Sequence, residues 1–200
     1  MKEKYIQDIA EIKDIMKRSS RLISLSGLSG VSAGFTALIG LYLLFHLSLD
    51  QYFTHNNTPN GIFERVLILA CSTLLLALGA AAYFTVRESR KKGVKVWDIH
   101  TKMLLTNLMI PLVTGGSLCL ILGVKGSLEL TPSLTLLFYG LGLINASRYT
   151  YEELKNLGFI EILLGLIAAI FIDYSLIVWG LGFGLLHIIY GIIMQFKYRA

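Results

Sequence analysis

Two ionisable side chains stand alone in the most apolar part of the chain. Glu161 lies within the stretch 157–172, and His187 lies within 176–194. An acid and an imidazole can exchange a proton, hold a cation or bond to one another. Inside a membrane-spanning segment such groups are costly, and they face protein or a water-filled cavity. Their surroundings match: Gly158, Glu161 and Gly165 follow one another at steps of three and four, and Gly184, His187 and Gly191 repeat those steps. Residues three and four apart share a helix face, and glycine faces are where membrane helices pack closely. Both side chains are therefore expected to point into the protein.

The break Asp173-Tyr174-Ser175 separates the two stretches, and Tyr174 is equidistant from Glu161 and His187. Two regular helices joined by a tight turn would bring the pair level, roughly 18–20 Å below that turn. Side chains lean toward their helix N-terminus, so in an antiparallel pair the two lean apart. Tyr190 is then the expected first partner of Glu161. Asn107, Asn145 and Arg148 fall toward the same end and are expected, with Tyr190, to line a ligand- or proton-binding pocket open to the cytoplasm. A purely structural reading uses the same residues. A Glu–Tyr or Glu–His bond would fix helix register, and each asparagine bond across helices would add about 0.6–2 kcal/mol.

What must position these groups is a membrane bundle. Of the 200 residues 54% are hydrophobic and 16% charged, against about 25% charged in a soluble domain. The apolar runs reach the roughly 20 residues a spanning helix needs, and without water in the lipid core they must be helical. Residues 1–21 read as a cytoplasmic amphipathic helix, with Tyr5, Ile9, Ile12 and Met16 on one face. Residues 22–196 read as six spans at about 22–47, 62–86, 103–123, 131–147, 154–172 and 176–196. No cleavable signal is expected, because a long polar segment precedes the first run.

Local signals mark the ends. Asp98 is expected to cap the third helix, Thr131 to cap the fourth with Pro132 behind it, and Thr150 to Glu153 to form a capping box. Pro111 in the third span marks an expected kink. Gly27, Gly30, Gly34 and Ala37 form a packing face on the first.

Every lysine and arginine except Arg65 and Lys125 falls in the N-terminal arm, the second or fourth linker, or the tail. By the positive-inside rule both termini face the cytoplasm, which requires an even number of spans. The same distribution explains the net charge of +5 without nucleic acid as a partner. In Ser24-Leu-Ser-Gly-Leu-Ser-Gly30, Ile110-Pro-Leu-Val-Thr-Gly-Gly116 and Phe183-Gly-Leu-Leu-His-Ile-Ile-Tyr-Gly191 the chain resembles uncharacterised small six-helix bacterial inner-membrane proteins. The likeness implies an inner-membrane bundle and carries over no activity.

No nucleophile elbow, HExxH, phosphate loop or carboxylate pair is present, so the chain is expected to be no enzyme and to need no cofactor. Cys71 and Cys119 have no metal-ligand or CxxC spacing and read as small buried hydrophobes. Two functions remain. The first is a regulatory or sensing membrane protein whose cytoplasmic face, residues 2–20 and the basic linker, engages a protein partner. The second is a small proton-linked transporter or ligand-binding protein, doubled as a homodimer because six spans are few.

Overall fold

The computed structural model describes residues 26–53, 59–93 and 96–198, together with Ile9. The expected amphipathic helix at 2–20 lies outside the described residues save for Ile9. Within them the chain is helical throughout, with no strands. The helices are α1 (Gly27–Phe53), α2 (Pro59–Lys91), α3 (Ile99–Val124), α4 (Thr131–Ala146), α5 (Glu153–Ile170), and a last rod built of α6 (Ser175–Trp179), a π segment (Gly180–Leu186) and α7 (His187–Lys197).

Five of these are long and apolar enough to cross a membrane: α1, α2, α3, the α4 region and the last rod. α5 is as apolar as its neighbours but carries three charged residues in its 18, Glu153, Lys155 and Glu161. It is packed between α4 and the last rod, so Glu161 meets protein, while Lys155 near its start is exposed. The bundle is a helical membrane fold, as the apolar runs require.

Several helices outrun the expected spans. α1 ends at Phe53, and α2 runs from Pro59 to Lys91. α2 thus starts ahead of the span expected from residue 62, and proline at the first helical position is preorganised for the helix. α3 runs unbroken through Pro111. Asp98 caps α3 as expected, its side chain accepting from the Ile99 amide.

Two caps differ from expectation. α4 is preceded by a 3-10 turn (Leu128–Leu130), and Leu130, not Thr131, is its cap. The Thr150–Glu153 capping box is not formed: the Thr150 amide donates to Ser147 O at 3.4 Å, and α5 begins at Glu153 with no side-chain cap. The Glu153 carboxylate accepts from Lys197 and from Tyr198 Oη instead, which ties the start of α5 to the end of α7.

Glycines set the packing. Gly27, Gly30 and Gly34 of α1 lie against Gly191, the His187 carbonyl and Gly184 of the last rod, as the α1 glycine face predicts. Gly140 and Gly158 bring α4 and α5 together so closely that a Cβ on either would meet the other's carbonyl oxygen at 2.6–2.7 Å. Ser133 Oγ donates to Gly165 O across the same pair at 2.7 Å. α2 is different, since its apolar residues, among them Ile68, Leu75 and Leu76, are exposed on the surface of the bundle. It leans chiefly on α1, and Gly40 meets Thr73 there.

Candidate functional site

α5 places Glu161 on its inward face because Gly158 and Gly165, on the same face, press against Gly140 and Leu137 of α4. Glu161 is 0% exposed. Among the described residues no other acidic side chain is buried. Neither carboxylate oxygen has a hydrogen-bond partner, although buried polar groups are normally satisfied.

The last rod brings His187 to it, with Nδ1 3.5 Å from Glu161 Oε1. The π segment decides how the ring is presented. Its glycines, Gly180, Gly182 and Gly184, are all buried. The wider winding places side chains five apart on one face, not four, and such segments recur at functional sites. The amide of His187 donates to Gly184 O. The carbonyl of Gly182 is 2.9 Å from the ring Nδ1. A carbonyl only accepts, so Nδ1 carries the hydrogen. Nε2, 2.7 Å from Tyr139 Oη, then accepts from the phenol when the ring is neutral. The imidazole is thus satisfied on both sides without Glu161, and the carboxylate is left over.

Gly182 also makes room for the acid: a Cβ there would lie 2.6 Å from Glu161 Oε2 and 2.6 Å from Leu136 Cδ2. Aromatic rings complete the surroundings. Phe183 stacks on His187 at 5.6 Å and an 18° interplanar angle, and Tyr139 and Trp179 lie 4.9 and 5.0 Å from Phe183. Trp179 Nε1 donates to Thr135 Oγ1 at 3.1 Å, which fixes the far ring.

The structure therefore unites Glu161 and His187, the expected pair, but with Tyr139 as the partnering phenol instead of Tyr190. Tyr190 is half-buried against Leu143, Tyr151, Leu154, Leu157 and Met194, and its hydroxyl has no hydrogen-bond partner. Asn107 is not part of the cluster, because its Nδ2 donates to Met103 O one turn back on its own helix, at 2.8 Å. Asn145 and Arg148 are exposed: Leu136, Gly140 and Leu143 take the inward face of α4 and turn Asn145 outward, and Arg148 lies past the end of that helix. Both cysteines are free, and Cys71 is exposed on α2, where a buried position was expected.

Tyr139 was missed, although one signal marks it. It lies mid-span, away from the interfacial belt where tyrosines collect.

No family model, curated protein or solved structure matches this chain. The chemistry of the cluster must therefore be read from its atoms. Tyr139 Oη is hydrogen-bonded to the imidazole and Glu161 Oε1 stands 3.5 Å from its other nitrogen, and an imidazole can take a proton at one nitrogen while losing one from the other. Among the described residues no group of three or more His, Cys, Asp or Glu gathers to hold a metal.

Tyr139→Phe leaves Nε2 of a buried imidazole without its donor. The expected cost is about 1–3 kcal/mol, measured as a lowered thermal midpoint of the purified protein.

At the bundle end holding the basic linker, Lys92 Nζ donates to Tyr198 O at 3.1 Å, and Tyr198 and Lys197 both bind Glu153. Partial burial pushes the Glu153 carboxyl up, but the hydrogen bonds from Lys197 and Tyr198 outweigh this and hold it below the usual carboxylate range. A depressed carboxyl contributes stability above its unfolded value and loses it as pH falls through the folded value. Glu153→Gln at neutral pH should free this end of α7. The expected readout is faster trypsin cleavage after Lys197 by mass spectrometry.

Proposed function

We propose that the protein is a small proton-linked transporter of the bacterial inner membrane, with Glu161 as the group that binds and releases the proton. The observation that carries this reading is a fully buried carboxylate with both oxygens unpartnered, 3.5 Å from an imidazole whose other nitrogen meets a phenol. A carboxyl kept only for packing or register would have its oxygens satisfied. His187 passes protons between Tyr139 and Glu161, and the closed arrangement is the occluded state. Both termini face the cytoplasm, on the distribution of lysine and arginine. Six helices are few for a carrier, so the working unit is a homodimer.

The test is pH-difference infrared spectroscopy of the full chain in lipid. A carboxylic C=O band should rise and fall with pH in the wild type and be missing in Glu161→Gln. Identical spectra for the two proteins would end this reading.

A second reading is a regulatory protein engaging a cytoplasmic protein partner. It is favoured by the exposed Arg87, Arg90, Lys91 and Trp97 at the basic end. Removal of residues 2–20 should then abolish partner capture in membrane pull-downs, and unchanged capture would count against it.

A further inference from the structure

We propose that Tyr190 is the relay through which Glu161 exchanges its proton with the basic end of the bundle, the cytoplasmic end in the orientation given above. The inference rests on the proton site proposed above and adds its route.

Glu161 lies between two unlike layers. Toward the outer turn the buried residues are Leu136, Ala168 and Val178, with Trp179 and Phe183 against them. The polar groups in this layer are engaged with one another, Ser133 Oγ with Gly165 O and Trp179 Nε1 with Thr135 Oγ1. Thr131, whose hydroxyl has no partner, stands apart from them at the start of α4. Toward the basic end the layer carries phenols instead. Tyr139, Tyr190 and Tyr198 all pack against one core of Leu143, Tyr151, Leu154, Leu157 and Met194.

The spacing along the helices suits a relay. On α7, His187, Tyr190, Met194 and Lys197 follow one another at steps of three and four and so share a face. On α5, Glu153 and Glu161 are about two turns apart, roughly 12 Å. Tyr190 is within electrostatic reach of Tyr139 on one side and of Glu153, Tyr151 and Tyr198 on the other. Hydrogen bonds are in place at both ends of this series. Tyr139 Oη is 2.7 Å from His187 Nε2, and Tyr198 Oη donates to Glu153 at 2.9 Å. Between them the Tyr190 hydroxyl is buried and bonds to nothing, although a buried phenol normally finds a partner. The series is interrupted there, so this closed state passes no proton until Tyr190 turns to bond its neighbours.

In the transfer, a proton from water enters at the Glu153–Tyr198 pair. Tyr190 accepts a proton on its oxygen and gives its own to Tyr139. Tyr139 gives its hydrogen to His187 Nε2 and is refilled from Tyr190. The imidazole releases its Nδ1 hydrogen to Glu161 Oε1, 3.5 Å away in the closed state. One O–H bond forms on Glu161 and one proton leaves the water. Every group between ends with the number of hydrogens it began with, the imidazole as its other tautomer.

The experiment is a pH jump on the full chain in lipid discs, where both faces meet the buffer. The carboxylic band of Glu161 is followed in time by infrared spectroscopy. Tyr190→Phe removes a hydroxyl that has no partner, so the thermal midpoint and the pH midpoint of the band should hold. The rate at which the band rises and falls should drop about tenfold or more. Ser133→Ala, on the outer side, should leave the rate as it is. An unchanged rate in Tyr190→Phe overturns the relay, and so does a shifted pH midpoint at unchanged rate. Equal slowing in Ser133→Ala overturns the one-sided route. Absence of a titrating band in the wild type instead removes the proton site on which the route depends.

Discussion

Glu161→Met raises the stability of the folded protein by about 1–3 kcal/mol, an unusual outcome for a change at a residue with no exposed surface. The reasoning starts from what Glu161 does not do. It makes no hydrogen bond, so its removal orphans no partner. His187 keeps Gly182 O and Tyr139 Oη. Methionine has similar length, carries no polar atom and adapts to irregular space. Burying a carboxyl without a hydrogen bond costs free energy whether or not it is ionised, and the substitution removes that cost. If the pair instead existed to lock helix register, breaking it would lose about 3–5 kcal/mol. The sign of the shift in the thermal midpoint therefore separates the two readings, and proton binding should vanish in the same variant.

Gly191→Ala is expected to act in the other direction, with a loss of about 3 kcal/mol. A Cβ there would lie 2.5 Å from both Gly27 O and Val31 N. These are backbone atoms of α1, and no side-chain rotation can make room. The seam between α1 and the last rod must open instead, and α2 leans chiefly on α1, so that hairpin would separate from the remaining helices. Gly79→Ala and Gly116→Ala are the matching controls. A Cβ at either meets nothing within 4 Å, and alanine favours a helix over glycine by about 1 kcal/mol. Thermal midpoints should fall sharply for Gly191→Ala and hold or rise for the controls. Equal effects at all three positions would mean that helix propensity, and not the seam, sets the stability.

The depth and direction of Glu161 and His187 were legible in the sequence because glycines at fixed helical steps mark a packing face, and the face then orients whatever polar residue shares it. Gly27, Gly30 and Gly34 identified the α1 seam for the same reason. Asn107, Asn145 and Arg148 were misplaced because being near one end of a span says nothing about which way a residue turns. The inward set on α4, Leu136, Gly140 and Leu143, excludes Asn145, and Arg148 falls past the end of the helix. Tyr190 was preferred on the geometry of regular helices, and the stretch from Gly180 to Leu186 is not regular. Nothing in a pattern of apolar residues and glycines distinguishes i→i+4 from i→i+5 hydrogen bonding. Thr150–Glu153 has the spacing of a capping box, but Lys197 and Tyr198, distant in sequence, take the carboxylate first.

The seven residues from Gly180 to Leu186 hold slack. If the stretch rewound as ordinary α-helix, it would have to pass a residue across the join, and each residue so moved would turn everything beyond it by about 100°. His187 is the first residue beyond. A single step of this kind would swing its ring off the carboxylate and away from Tyr139, and a new set of side chains would face α1 along the Gly27–Gly191 seam. Such a crank in the backbone would couple the acid's isolation to the docking of the first hairpin, without a hinge loop.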